Sequence, residues 1–343
     1  MAIAAVGQIC STASMAHNLE QCVRLVSKAA AAGAKVLFLP EASDYIATSG
    51  AQSLALAKPV ASSPFVTGLQ SAAAKHSLAV HVGIHVPVPV SAIAKGSIVN
   101  PLLTAAPQST AAESSSSNSS NTTTATTGET TTTTTKLYNR TIWINEDGSL
   151  NDQAAYDKLH LFDYATLRES ATTQAGAAFT PPFPSALGRI GSLICFDLRF
   201  PEAALHLTQS AAFAAEPAQV LLYPSAFTVP TGRAHWEVLL RSRAIETQSW
   251  VVAAAQVGRH GDRDTVRRVS YGRSMVVDPW GRVVVELKGV ENVNPNNNDT
   301  EEQLEAEDGA VGEMGLVDID LGEWEQVRQK MPLVRRTDVY AEI

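Results

Sequence analysis

The chain predicts an α/β fold, and three observations carry that expectation. The sequence opens with a strand, helix, strand unit over residues 2–8, 18–33 and 36–39, the spacing of a parallel βαβ crossover. Short apolar strands at 190–194, 219–223, 250–255, 274–277 and 314–319 then alternate with helical segments, with no obvious break between domains. Finally, Glu41, Lys158 and Cys195 each fall directly after a predicted strand, where α/β proteins place their sites.

In chain order, Leu19, Cys22, Val23, Val26 and Ala30 recur on one helical face, which makes Cys22 a core residue; Asn18 is the expected N-cap and Gly33 the C-cap. The strand at 36–39 is fully apolar and runs into Pro40-Glu41. A helix over 63–76 and a strand over 78–86 follow. His81 and His85 share one face of that strand, but no third ligand stands nearby, so they read as space-filling histidines. Residues 104–135 are almost all Ser, Thr, Ala and Asn, too polar to offset their ordering entropy, and predict a disordered surface insertion. A β-rich run at 138–144 closes on the turn Glu146-Asp147-Gly148, and Lys158 follows a short strand.

The β-branched run 190–194 ends at Cys195, and Pro201-Glu202 reads as the first turn of a helix. A thiol at such a turn projects into a cleft beside backbone N–H groups, the geometry that covalent catalysis needs; the plain alternative is a small apolar residue finishing a buried strand. Residues 224–227 follow a strand as a loop, and 234–247 is a helix. A turn at Asp278-Pro279-Trp280-Gly281 leads into a strand at 282–287. Residues 293–308 form a second, acidic insertion read as a solvated loop, and a helix at 322–330 ends the pattern. One domain over 1–343 with two surface insertions is the simplest count.

Composition bounds the function. At 343 residues, with 45% hydrophobic content and a formal net charge of −8, the chain fits a globular protein without a general nucleic-acid or anionic-membrane surface. An anion site must therefore be small and specific. Cys10, Cys22 and Cys195 form no CxxC pair, which argues against a disulfide framework or a zinc signature and for a reducing compartment. The first basic residue is Arg24 and no apolar run approaches membrane-spanning length, so the expectation is a cytoplasmic protein, with a mitochondrial pool as the variant.

Three segments carry a resemblance. Phe38-Leu39-Pro40-Glu41-Ala42, Tyr156-Asp157-Lys158-Leu159-His160-Leu161-Phe162-Asp163 and Ile194-Cys195-Phe196-Asp197-Leu198-Arg199-Phe200-Pro201-Glu202 resemble, in order, the signature segments of the nitrilase superfamily of carbon–nitrogen hydrolases. Tyr223-Pro224-Ser225-Ala226-Phe227, Thr231-Gly232-Arg233-Ala234-His235-Trp236-Glu237, Arg243-Ala244-Ile245-Glu246-Thr247-Gln248 and the stretch from Tyr271 to Gly281 are similar to its deaminated glutathione amidase branch; ω-amidases usually carry Gly in place of Ser225. The resemblance implies a four-layer α-β-β-α sandwich with two mixed sheets, assembled as a homodimer or higher homo-oligomer. It implies a small anionic amide substrate, no nucleic-acid or membrane partner, and no metal or organic cofactor.

By that resemblance Glu41, Lys158 and Cys195 are the catalytic residues, and Glu169 matches the second glutamate that positions the lysine. Only Tyr164 to Arg168 separate Asp163 from Glu169, where relatives usually carry a longer loop. The chemistry agrees: an ordinary thiol is mostly protonated at neutral pH and needs a base, Glu41, while Lys158 and the Phe196 N–H can meet an oxyanion. Arg199 either grips a substrate carboxylate or pairs with Asp197 or Glu202. Ser225, Ala226 and Phe227 complete the expected substrate contacts. The expected reaction is hydrolysis of deaminated glutathione to 2-oxoglutarate and Cys-Gly, a metabolite repair. The rivals are an ω-amidase acting on 2-oxoglutaramate, a non-catalytic binding protein on the same fold, and a Cys-His site using His160 or His235, with His160 oriented by Asp163.

Overall fold

A computed structural model describes residues 2–91, 133–164, 167–262, 268–292 and 303–340. Residues 1–88 and 136–343 cluster as one compact unit and 89–135 as another. Most of the serine- and threonine-rich insertion at 104–135 lies outside the described residues.

Two six-stranded sheets organise the fold. The first holds β1 (Ala2–Gly7), β2 (Val36–Phe38), β3 (Ala79–Ser91), β4 (Thr133–Ile144), β5 (Tyr156–Asp157) and β18 (Met314–Ile319), in the order β18-β1-β2-β3-β4-β5. The second holds β8 (Phe183–Ser185), β9 (Gly188–Ser192), β10 (Val220–Leu222), β11 (Trp250–Ala253), β14 (Met275–Val277) and β15 (Val283–Glu286), in the order β15-β14-β11-β10-β9-β8. Strands β1, β2 and β3 run parallel, as do β9, β10 and β11, while the flanking strands β18, β8 and β14 pair antiparallel. Three two-stranded ribbons add β6 (Asp163–Tyr164) with β7 (Leu167–Arg168), β12 (Val257–Arg259) with β13 (Val269–Tyr271), and β16 (Val290–Asn292) with β17 (Leu304–Ala306).

Period-2 alternation decides the layers. Ala4, Val6, Val36 and Phe38 of the first sheet meet Val220, Leu222, Trp250 and Val252 of the second in one core between the sheets. The intervening residues face outward: Ala5 and Leu37 pack under helices α1 (Met15–Ala31) and α3 (Pro64–His76), and Leu221 and Val251 pack under α4 (Pro201–Gln209) and α5 (Val229–Thr247). The result is an α-β-β-α sandwich. Each such fully buried leucine costs about 2–5 kcal/mol when cut back to alanine. Two further helices, α2 (Gly50–Leu56) and α6 (Leu321–Lys330), complete the set, and among the described residues no helix is long and apolar enough to cross a membrane.

Several boundaries differ from the sequence expectation for identifiable reasons. Ser14, not Asn18, caps α1 by accepting from His17 N–H. Asn18 lies buried inside the helix, where its amide ties Thr12 and the Asp44 carbonyl to it. Helix α5 begins five residues before the expected position 234 because Pro230 suits a first helical turn. The 133–135 end of the threonine tract belongs to β4. Of the acidic insertion, 293–302 lies outside the described residues, but Leu304–Ala306 is strand β17 rather than loop, with Leu304 buried. His81 packs against Phe38 and Trp143, and burial pushes its pKa down to about 3, so it is a neutral core ring.

Candidate active site

The carboxyl ends of the parallel strands converge at one point. Beyond β2 the chain turns through Pro40, Glu41 and Ala42, the last in a left-handed conformation (φ 54°). Gly83 of β3 passes against this turn, its N–H donating to Pro40 O at 3.0 Å while its carbonyl accepts from Ser43 N–H at 2.8 Å. A Cβ at position 83 would stand 2.6 Å from Glu41 Cα, so only glycine permits the approach. Gln256 Nε2, from the link between β11 and β12, donates to the Glu41 carbonyl at 2.9 Å.

Lys158 follows β5, and its N–H donates to Asn139 O at 2.9 Å, which fixes the lysine beside β4. Cys195 follows β9 at the start of a 3₁₀ turn (Cys195–Arg199) with φ 46°, and its N–H donates to Pro224 O at 3.0 Å. A non-glycine residue held at positive φ is strained, and two of them, Ala42 and Cys195, flank this site. Phe196 is the second residue of the turn, so its N–H belongs to the set that a helix start leaves without an intrahelical acceptor.

The side chains form one network. Lys158 Nζ donates to Glu41 Oε1 at 2.9 Å and to Glu169 Oε2 at 2.9 Å, with only 2% of the lysine side chain exposed. Asn139 Nδ2 donates to Glu41 Oε1 at 2.7 Å and to Glu169 Oε1 at 3.0 Å. Glu169 Oε2 also accepts the Phe162 N–H at 2.7 Å. The Cys195 thiol lines the same cavity, where the Glu41 carboxylate, the Lys158 ammonium and the Ala226 N–H act on its ionisation.

Burial alone would raise the Glu41 pKa, but the Lys158 charge and the hydrogen bonds from Lys158, Asn139 and Cys195 outweigh it and hold the carboxyl below its ordinary value. Burial likewise opposes charge on Lys158; the carboxylates of Glu169 and Glu41 overcome it and hold the ammonium well above its usual range. The Cys195 thiol is pushed up, first by burial and then by the Glu41 charge. At rest the site therefore holds a neutral thiol against a carboxylate, beside a permanent cation. That arrangement can deprotonate sulfur in concert with its attack on a carbonyl and stabilise the resulting oxyanion.

These groups line a cavity of about 730 Å3. Phe196, Arg199, Ala226 and Phe227 lie on its wall, but Ser225 does not: it is fully buried and its hydroxyl donates to the Tyr223 carbonyl at 2.9 Å. Arg199 pairs with neither Asp197 nor Glu202. Its Nη2 lies 3.1 Å from His235 Nδ1, its guanidinium approaches the Phe196 and Phe227 rings, and among the described residues it makes no ion pair with a carboxylate. Asp197 instead binds His160 Nδ1 at 2.7 Å, the Tyr156 hydroxyl at 2.8 Å and the Ile194 N–H at 2.9 Å, clamping the cysteine turn to the lysine strand. His160 is thus oriented by Asp197 rather than Asp163 and is stacked on Phe200, His235 lies against Arg199, and neither histidine lines the cavity, which leaves the Cys-His alternative without its geometry. Asn139 is the member of the network that sequence reasoning missed.

Residues 3–115 and 98–329 match the carbon–nitrogen hydrolase family. The chain is 36% identical over 350 residues to the "Probable hydrolase nit2" of Schizosaccharomyces pombe, covering 100% of both. It is 35% identical over 348 residues to the deaminated glutathione amidase of Mus musculus, covering 99% of this chain and 85% of the relative. Among solved structures, the NitFhit protein of C. elegans matches with a TM-score of 0.71 at 30% identity, over 99% of this chain and 67% of that one. Saccharomyces cerevisiae Nit3, described as a member of branch 10 of the nitrilase superfamily, matches with a TM-score of 0.66 at 26% identity, over 98% of this chain and 96% of its own.

Proposed function

The chain belongs to the carbon–nitrogen hydrolase family and is a nitrilase-superfamily amidase, and from that premise we propose that it hydrolyses deaminated glutathione to 2-oxoglutarate and Cys-Gly. In this reading Glu41 takes the Cys195 proton as sulfur attacks the γ-amide carbonyl carbon. The Lys158 ammonium and the Phe196 N–H stabilise the oxyanion, and each such donor is worth about a hundredfold or more in rate. Glu41 then hands its proton to the departing amine of Cys-Gly, leaving a thioester on Cys195. Water, deprotonated by the same carboxylate, attacks the thioester; 2-oxoglutarate leaves and the thiol regains its proton. Glu169 and Asn139 are positioning residues that keep Lys158 and Glu41 in register.

The observation that carries the acyl half of this reading, common to both candidate amides, is Arg199, a cation on the cavity wall with no carboxylate partner among the described residues. At the reacting groups two carboxylates stand against one ammonium, so an anionic acyl chain needs a cation further along the wall, which Arg199, Arg168 and Arg268 supply. The names of the mammalian relatives support the same substrate. The test is the kcat/KM of purified protein on deaminated glutathione and on 2-oxoglutaramate. The former should be preferred, with Cys-Gly released; preference for the latter, with release of ammonia, would make the chain an ω-amidase.

A further inference from the structure

Among the cavity-lining groups that the mechanism above leaves unused is His85, which Asp44 holds from behind. His85 Nδ1 lies 3.0 Å from Asp44 Oδ1, and the backbone N–H of His85 donates to Asp44 Oδ2 at 2.8 Å. Asp44 is buried, with 3% of its side chain exposed, and also accepts the N–H of Tyr45. The Tyr45 ring stacks on the imidazole at 4.5 Å and is itself anchored by its hydroxyl on Ser53 O at 2.8 Å. The imidazole is therefore fixed by one nitrogen and by one face. Its Nε2, which has no partner among the described residues, is the polar edge left for the cavity that also holds Glu41, Lys158 and Cys195. A buried carboxylate whose hydrogen bonds serve to orient an imidazole is the arrangement that sets a histidine's far nitrogen to a task.

We propose that His85 is a specificity-determining residue that hydrogen-bonds the amine half of the substrate, an amino-acid or peptide leaving group. The inference rests on the proposed mechanism, because the departing nitrogen must lie beside Glu41, its proton donor. His85 stands on that side of the cavity. It follows Gly83 by two residues on the same face of β3, about 7 Å along the strand, and Gly83 is the residue that abuts Glu41 Cα. Arg199 comes from the cysteine segment instead, so the two halves of the substrate are read by different elements. A primary amide, whose leaving group is ammonia, has nothing for His85 to hold.

The experiment compares kcat/KM for deaminated glutathione with that for 2-oxoglutaramate in the wild type, His85→Phe and His85→Gln. Phenylalanine keeps the stacking on Tyr45 and removes both nitrogens; glutamine keeps a hydrogen-bonding group and guards against a folding failure of the first variant. The ratio of the two constants should fall about tenfold or more in His85→Phe, chiefly through KM for the longer amide, and recover in part in His85→Gln. Inhibition of 2-oxoglutaramate hydrolysis by Cys-Gly should weaken in parallel. A ratio and an inhibition constant unchanged within about twofold in the folded variants overturn the role of His85 alone. A wild type that cleaves only 2-oxoglutaramate overturns the substrate reading, and the role of His85 with it.

Discussion

Lys158 Nζ and Glu41 Oε1 stand 2.9 Å apart although 117 positions separate the residues in the chain. The pair is almost fully buried, and a buried ion pair is stabilising only when its remaining hydrogen-bonding capacity is met. Here Glu169 supplies the second acceptor for the ammonium and Asn139 a second donor for the carboxylate. The site is thus a polar network in which each charge has a partner, and it opens onto the cavity.

Glu41 is held below its ordinary value, so the base stays ionised until well into the acid range, and kcat/KM should be flat from about pH 6 to pH 8. Because the Cys195 thiol is pushed up, a rise in rate through about pH 8.5, the signature of a freely ionising thiol, should be absent. The depressed Glu41 contributes stability that is present above the ordinary glutamate pKa of about 4.3 and is lost as pH falls through its folded value; the raised Lys158 contributes stability that is lost only as pH climbs past about 10.4 toward its folded value. Rate profiles from about pH 6 to pH 9, and urea midpoints carried below about pH 4.3 and above about pH 10.4, check both.

Asn139→Asp should be the most damaging conservative change in the network. The amide donates to Glu41 and Glu169, and a third carboxylate there would face two others across hydrogen-bond distance. We expect kcat to fall by about a hundredfold or more near neutrality, with Asn139→Leu falling less steeply. Equal losses in the two variants would mean that the amide acts through shape alone.

Glu169→Gln should keep the fold and lower kcat by about a hundredfold, since it removes one of the two counter-charges of Lys158 while retaining the shape that meets the Phe162 N–H. Steady-state kinetics against the wild type read the effect directly.

Gly83→Ala tests the backbone rather than the side chains. The added methyl meets Glu41 Cα and Pro40 O, neither of which can rotate away. Destabilisation of about 1–3 kcal/mol by denaturant unfolding should accompany a loss of activity larger than the loss of folded protein.

Glu41, Lys158 and Cys195 were legible as a group because each sits one to three residues beyond a short strand, and strand ends in this topology point one way. Asn139 gave no such sign. It lies between Tyr138 and Arg140 within β4, and alternation cannot tell a polar side chain aimed at a buried site from one aimed at water. Ser225 misled for the converse reason: it neighbours Ala226 and Phe227, which do line the cavity, but its hydroxyl turns back onto the strand end. Asp163 was matched to His160 by proximity in sequence, whereas the partner in space, Asp197, is 37 residues away. Helix α2 buries none of its seven residues, so it left no periodic pattern to detect, and β17 depends on a non-local pairing with β16 that one buried leucine could not signal.

In this mechanism the Cys195 sulfur becomes acylated during turnover. Acid quenching of the enzyme at work on deaminated glutathione, followed by peptide mass spectrometry, measures this most directly. A 2-oxoglutaryl adduct on the peptide containing Cys195, absent from a Cys195→Ala variant that still folds and no longer turns over, is the predicted result. Turnover without any adduct, an adduct confined to another residue, or wild-type hydrolysis by Cys195→Ala would contradict it.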